Sequence, residues 1–437
     1  MKLVFLAGGV GKRMFPIIKE KCLLQFLGKE LILHQIELAQ KAGITDLVIV
    51  SNPQNIADIR PIVKDRASYV VQKYPRGMAD ALLCARDHLQ GEDILVVNPN
   101  DLFEFSAYTR MLSSIQEGDA DSYILGYKVD SYFPGGYLII KDGTVQGIME
   151  KPGRGNEPSN LVNLVLHYHR DADTLLDYLE KTDSSRDDVY EKSLTTMIHS
   201  GHTVSPVLYD GFWTAIKYPW HLFNAVCYFM DQTENRVADS AEISEKATIK
   251  GKVIIEENVK IFEYATINGP CYLGPDCIIG NNALVREYAH IGERTVVGYS
   301  TEVKHCYIGS DCWFHSNYVG DSIILDGCSF GSGTVTANFR FDEKVVNVDI
   351  NSEMVSTGLD KFGCIMGENC KTGINASIMP GMKIGPNAIV GSHAMVFQNV
   401  EPNTMLLVNQ QQTTKENKLQ FAKEKKLELL KKLVGHE

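Results

Sequence analysis

The sequence predicts a Rossmann-like α/β domain followed by a left-handed parallel β-helix of hexapeptide repeats and a short C-terminal helix. Three observations lead there: an apolar strand that runs straight into a glycine loop, an alternation of strands and amphipathic helices behind it, and an aliphatic residue at every sixth position through much of the second half. The expected boundaries are 1–232 for the α/β domain, 233–410 for the β-helix and 411–437 for a helical tail.

In the first part, Lys2 to Leu6 reads as a buried strand. Lys29 to Ala42 reads as a helix with Ile32, Ile36 and Ala39 on one face and Gly43 as its stop, and Asp46 to Val50 as the next strand. The pattern repeats with a strand at Tyr69 to Gln72, a helix at Met78 to Leu89 with Ala79, Leu82 and Leu83 facing the core, and a strand at Ile94 to Val97 that ends in Asn98-Pro99-Asn100-Asp101. Such alternation predicts a mainly parallel sheet between helices, with ligands beyond the carboxyl ends of its strands, where the glycine loop and Asp101 both fall.

Past the polar stretch Gln232 to Arg236 the period changes. Ile243, Ile249, Ile255, Ile261, Ile267, Leu273, Ile279, Val285, Ile291, Val297 and Val303 are spaced by six, and Met366, Thr372, Ile378, Ile384, Val390 and Val396 resume the phase after an interruption from about 339 to 362. Four positions beyond each sits a second inward site for a small side chain, filled by Ala247, Val253, Val259, Ala265, Cys271, Cys277, Ala283 and Ala289. Cys312, Cys328 and Cys370 hold the same place after Ile308, Ile324 and Met366, so these cysteines read as small hydrophobes rather than metal ligands or a disulfide framework. Thr414 to Val434 reads as a lysine-rich helix with Leu419, Leu427, Leu430 and Val434 available to pack on the end of the β-helix.

With 437 residues, 44% of them hydrophobic, the chain has enough apolar material for large cores, and a net charge of -11 provides no basic footprint for nucleic acid. The apolar start is too short for a signal peptide and no segment is long enough to span a bilayer. A cytoplasmic protein with reduced thiols and no membrane partner is expected.

The loop Leu6-Ala7-Gly8-Gly9-Val10-Gly11-Lys12-Arg13-Met14-Phe15-Pro16 is neither a Walker A loop, since Arg13 stands where Ser or Thr belongs, nor a complete dinucleotide fingerprint. With Lys21-Cys22-Leu23-Leu24 and Gly28-Lys29, then Gln72, Gly77-Met78-Ala79-Asp80-Ala81, Asn100-Asp101 and Glu150-Lys151-Pro152, it resembles the sugar-1-phosphate nucleotidyltransferase family over about residues 1 to 225. The resemblance implies that Leu6, Ala7, Gly8, Gly9, Gly11, Gln72 and Gly77 bind the nucleotide, that Arg13 and Lys21 are catalytic cations, that Asp101 holds Mg²⁺, and that Gly136, Glu150 and Asn163 touch the sugar. These residue types suit a reaction in which a sugar phosphate oxygen attacks the α-phosphorus of a nucleoside triphosphate, because two polyanions must be brought together.

The chain departs from the family in three places. Lys12 replaces the usual Thr, Glu20 and Cys22 replace the prolines around the loop lysine, and Phe212-Trp213-Thr214-Ala215-Ile216 puts Ala215 where many relatives have a second metal-binding Asp. Magnesium held by Asp101 with phosphates and waters is the expected arrangement.

In the second domain, Phe314 takes an inward position, so His315 should face outward. His315, Tyr318, Gly320, Asp321, Asn338 and Lys344 stand at the spacings of the acetyltransferase half of bifunctional N-acetylglucosamine-1-phosphate uridylyltransferases, whose archaeal-type relatives this stretch resembles. That implies His315 as a general base for acetyl transfer from acetyl-CoA to glucosamine 1-phosphate, Asn338 and nearby amides for the oxyanion, and Tyr318, Asn338 and Lys344 for the sugar phosphate. Phe339-Arg340-Phe341-Asp342 replaces the Tyr-Asp-Gly of the bacterial enzymes and leaves the acceptor sugar open. The resemblance further implies UTP or dTTP and a sugar 1-phosphate as substrates, and a homotrimer. Two other functions stay open: a glucose-1-phosphate uridylyl- or thymidylyltransferase with a structural β-helix, and a silent nucleotide-binding scaffold.

Overall fold

The computed structural model describes every residue except 10, 187, 420–422 and 436–437. The first domain is built on a nine-stranded sheet whose centre is strand β1, Lys2–Leu6. It pairs in parallel with β2, Leu47–Ser51, which pairs with β3, Ser68–Val71. On its other side lies β4, Ile94–Val97, also parallel. Leu3, Val4 and Phe5 are fully buried, as continuous apolar runs must be when helices cover both faces of a sheet.

The parallel half is only half the sheet. The other half comprises Ser122–Lys128, Gly136–Lys141, Thr144–Glu150, β5, Leu161–His169, and Val204–Tyr209; β5 pairs antiparallel with β4, and Val204–Tyr209 pairs in parallel with Ser122–Lys128. The expected mainly parallel sheet is therefore mixed, because the Asp142-Gly143 turn, with φ of 49° and 79°, folds the chain back into a hairpin.

Helix α1, Leu31–Lys41, buries Ile32, Ile36 and Ala39 as its period predicts. The helix expected over 78–89 is split: α2, Met78–Cys84, ends at Ala85, and a separate turn at Arg86–Leu89 lets the Arg86 guanidinium reach the Leu176 carbonyl and the Glu180 carboxylate.

The second domain is a left-handed parallel β-helix of three sheets with eight, nine and eight strands among the described residues. Ile243, Ile261, Ile279 and Val297 stack in register on one sheet, so three hexads make one coil. Their side chains fill the interior with the small partners Ala265, Cys277, Ala283 and Cys312. The cysteines pack as predicted; the Cys277 thiol reaches the Gly292 carbonyl at 3.0 Å and Cys370 that of Gly385 at 3.0 Å. Asn258, Tyr264, Asp276, Asn282 and Ser300 turn the corners in the left-handed region.

Between Asn338 and Phe362, joined by a 2.9 Å backbone hydrogen bond, the chain leaves the coil in an excursion that contains a hairpin: β6, Asn347–Ile350, and β7, Glu353–Ser356. A continuous core joins the domains. Met14, Ile17, Phe223, Val226 and Phe229 pack with Tyr272, Tyr307, Ile323, Val348 and Ile350. Polar contacts reinforce it: Leu27 N–H donates to His290 Nε2 at 3.1 Å and Tyr307 Oη to the Gln25 carbonyl at 3.0 Å.

The C-terminal helix, Lys423–Val434, does not pack as expected: Leu427, Leu430 and Val434 are exposed, as is Leu419 in the preceding segment. Residues 420–422 and 436–437 of the predicted tail, 411–437, lie outside the described residues.

Candidate active sites

At the carboxyl end of β1 the glycine loop opens into a cavity of about 700 Å³. Leu6, Gly8, Gly9, Gly11, Gln72 and Gly77 line it, with Lys12, Arg13 and Lys21 as cations. Ala7 instead turns into the core, and its carbonyl accepts a hydrogen bond from Asn55 Nδ2 at 2.8 Å; Asn52 Nδ2 holds the Gly8 carbonyl at 3.2 Å. A methyl at Gly8 would come within 2.5 Å of Gln72 Oε1, so only glycine lets the loop lie against that amide. Gln72 Nε2 donates to the Gly77 carbonyl and the Asp80 carboxylate at 3.1 and 2.8 Å, which leaves Oε1 as an acceptor.

Asp101 begins a short strand that pairs with Trp213–Ala215, and Ala215 lies directly opposite it. Desolvation raises the buried Asp101 carboxyl to a pKa of about 6, against the pull of Lys217 and Lys21. Lys217, which the sequence reading did not single out, stands in the wall between this cavity and a second recess of about 210 Å³. Burial lowers its pKa to about 8, while Asp101 and Glu150 favour its charged form. Its ammonium sits 4.0 Å from the Phe133 ring centroid and donates to the Pro134 carbonyl at 3.3 Å. Lys21 is likewise lowered by burial and supported chiefly by Asp101. Asn100 Oδ1, buried and without a hydrogen-bond partner among the described residues, belongs to another residue of the same cavity.

The smaller recess gathers Gly136, Glu150 and Asn163. Gly136 pairs with Glu150 across the hairpin, and a methyl there would lie 3.0 Å from Glu150 Oε2 and 3.5 Å from Asn163 Cβ. Glu150 also pairs with Lys151 at 2.8 Å.

Behind Asn163 runs a buried polar chain that no single motif announces. Ser122 Oγ lies 2.8 Å from His169 Nδ1, His169 Nε2 2.9 Å from Tyr190 Oη, Tyr190 Oη 2.7 Å from His167 Nδ1, and His167 Nε2 2.6 Å from Asn163 Oδ1. Burial lowers both histidines to pKa values of about 3, so each is neutral and carries one proton. Donation in the order Ser122, His169, Tyr190, His167, Asn163 satisfies every group. The reverse order leaves the buried Ser122 hydroxyl proton without an acceptor. The Asn163 oxygen is thus occupied and its NH₂ group is left for the recess. The sequence did carry a signal, the pair His167-x-His169, whose spacing puts both side chains on one face of a strand.

In the β-helix, His315 is exposed at a corner, as expected, and its imidazole has no hydrogen-bond partner among the described residues. Tyr318 begins the next strand, and Asn338 Nδ2 donates to Tyr318 Oη at 3.1 Å and to Asp321 Oδ2 at 2.5 Å. Asn338, to which the resemblance assigns the oxyanion and the sugar, here holds Tyr318 and Asp321 with its NH₂ group. Asp321 is itself buried and paired with His305 at 2.9 Å and Lys304 at 3.5 Å. Lys344 is exposed on the excursion.

Residues 2–224 match the model of the Nucleotidyl transferase family, and 252–287 and 363–398 match Bacterial transferase hexapeptide (six repeats). The chain belongs to the nucleotidyl transferase family. Among its relatives, a bifunctional sugar-1-phosphate nucleotidylyltransferase/acetyltransferase of Sulfurisphaera tokodaii is 34% identical over 92% of this chain and 98% of its own. The bifunctional protein GlmU of Methanocaldococcus jannaschii is 34% identical over 93% and 97%, and that of Methanococcus vannielii 34% over 93% and 97%. This nucleotidyl transferase therefore shares a two-domain plan with them along nearly its whole length. Among the described residues no group of three or more His, Cys, Asp or Glu is placed to hold a metal ion, and no helix is long and apolar enough to cross a membrane.

Proposed function

We propose that the chain is a bifunctional enzyme that acetylates glucosamine 1-phosphate and then joins the product to UMP from UTP, releasing pyrophosphate. One observation supports the second step above others: a cavity walled by Lys12, Arg13, Lys21 and Lys217 meets, at Asn98 and Lys217, a sugar-sized recess whose lining includes Asp101. A triphosphate in the larger cavity and a sugar in the smaller place the phosphate oxygen and the α-phosphorus on either side of Lys217. The new P–O bond forms as the bond to pyrophosphate breaks, and Arg13, Lys21 and Lys217 offset the charge of both reactants. The hard oxygens of Asp101 and Asn100 suit Mg²⁺, which when bound supplies charge neutralisation on the triphosphate. Because Gln72 keeps an acceptor free, it fits a base edge that presents an N–H donor, as the ring N–H of uracil or thymine does.

For acetyl transfer, the amine nitrogen attacks the thioester carbon, the C–S bond breaks, and His315 takes the amine proton and passes it to the departing thiolate. The free imidazole supports that role, with Tyr318 and Lys344 for the sugar phosphate. Exposed Tyr264, Tyr299, Trp313 and Ile374 run along the corner that carries His315, which supports a homotrimer with the acetyl site between chains. A cytoplasmic location fits this chemistry.

Pyrophosphate release across UTP, dTTP and GTP with a panel of sugar 1-phosphates, beside free-thiol release from acetyl-CoA, tests the reading. Asp101→Asn is expected to lower nucleotidyl transfer by about 10²-fold or more and leave thiol release intact. His315→Ala is expected to do the reverse. Undiminished pyrophosphate release by Asp101→Asn would falsify the placement of the first site.

A further inference from the structure

One wall of the nucleotide cavity is not built by the α/β domain. Asn351 lines it with Lys12, Arg13 and Met14, yet belongs to the excursion that interrupts the β-helix. Strands β6 and β7 are joined by Asn351-Ser352, with φ of 52° and 69°, the two positive values of a type I′ turn; asparagine accepts such a conformation more readily than most residues.

The stem is anchored and the tip is bare. Val346, Val348 and Ile350 alternate inward, at most 5% exposed, into the cluster that contains Met14 and Ile17 from the end of the glycine loop. The Asp349 carboxylate accepts from Ser352 N–H at 2.8 Å and from Asn399 Nδ2 at 3.3 Å, which fixes the turn to the next part of the coil. Asn351 itself is exposed toward the cavity. The described residues lining that cavity include four lysine or arginine side chains and no carboxylate, so it is suited to phosphate oxygens, and a carboxamide at its rim adds a neutral donor.

We propose that Asn351 donates its side-chain amide to the triphosphate, so that the β-helix completes the nucleotide site of the other domain. This rests on reading the cavity as a nucleoside triphosphate site. Met14, next to Arg13 in the chain, lies in the hairpin's own core.

Asn351→Gly in the full-length chain keeps the turn, since glycine suits a positive φ, and removes only the amide. The dissociation constant for UTP, read by calorimetry, and the KM for UTP are expected to rise about 10- to 100-fold, the size of one hydrogen bond to a charged group. Asn351→Asp, with a like charge facing the phosphates, is expected to weaken UTP further. KM for the sugar 1-phosphate and thiol release from acetyl-CoA stay as in the wild type. Wild-type UTP affinity in Asn351→Gly overturns the proposal, as does equal weakening of UTP and sugar 1-phosphate, which marks a general disturbance. A wild-type chain that binds no nucleoside triphosphate removes the parent reading instead, and this one with it.

Discussion

Lys217 stands between the two recesses and Asp101 lines the smaller one, and each makes the other's charge tolerable there. Ala215 removes the carboxylate that many relatives place opposite Asp101, and two positions later the chain supplies a cation. On the proposed mechanism, Lys217→Met lowers the turnover of nucleotidyl transfer by about 10²-fold, while acetyl transfer is unaffected; a full rate in pyrophosphate release would show that Lys217 only packs. The proton order behind Asn163 makes a second expectation. Tyr190→Phe keeps the ring but removes the hydroxyl between two histidines, so KM for the sugar 1-phosphate is expected to rise about 3- to 10-fold with KM for UTP unchanged. The same histidines set a pH dependence. Burial lowers both from 6.5 to about 3, so between those values the unfolded chain holds protons that the folded chain refuses. Their contribution is complete above pH 6.5 and diminishes as pH falls, by about 2 kcal/mol each at pH 5. Thermal melts from pH 7.5 to 5 check this, and His169→Asn should flatten the slope.

At the level of elements, each coil of the β-helix depends on a side chain at every sixth position. Ile279 is fully buried between Ile261 and Val297. Ile279→Ala is expected to cost about 2–5 kcal/mol, read as a lower urea midpoint, whereas a substitution at exposed Tyr264 leaves that midpoint of the single chain nearly unchanged. The repeat could be read directly because a period of six recurs in residues that are each buried for the same reason. The hairpin at 347–356 could not be placed the same way. Its alternation of Val346, Val348 and Ile350 is visible, but the surface those side chains meet comes from residues 14 and 17, more than three hundred positions away. Likewise the Asp142-Gly143 turn is a legible hairpin signal, yet the expected parallel sheet took no account of it.

Taken whole, the molecule joins its domains through a shared core rather than a tether. A fragment ending at 232 exposes Phe223, Val226 and Phe229, each worth about 1.5–3 kcal/mol of burial. It is expected to aggregate, or to melt well below the full-length protein, by light scattering and circular dichroism; a soluble fragment with an unchanged melting temperature would contradict this. Light scattering on the full-length protein should read three chains per particle, and Trp313→Glu should shift it toward one.

The sequence alone determined the two architectures, the glycine loop, the acidic residue after the fourth strand and the outward histidine, because each depends on local spacing or on a run of neighbours that repeats. Tertiary structure alone decided which groups meet: Lys217 with Asp101, the proton order that frees the Asn163 amide, the commitment of Asn338 to Tyr318 and Asp321, and Asn351 in a cavity of the other domain. The physical reason is that strand and coil periodicity are set by backbone geometry over a few residues, whereas hydrogen-bond partners and desolvation are set by whichever distant segment fills the remaining space.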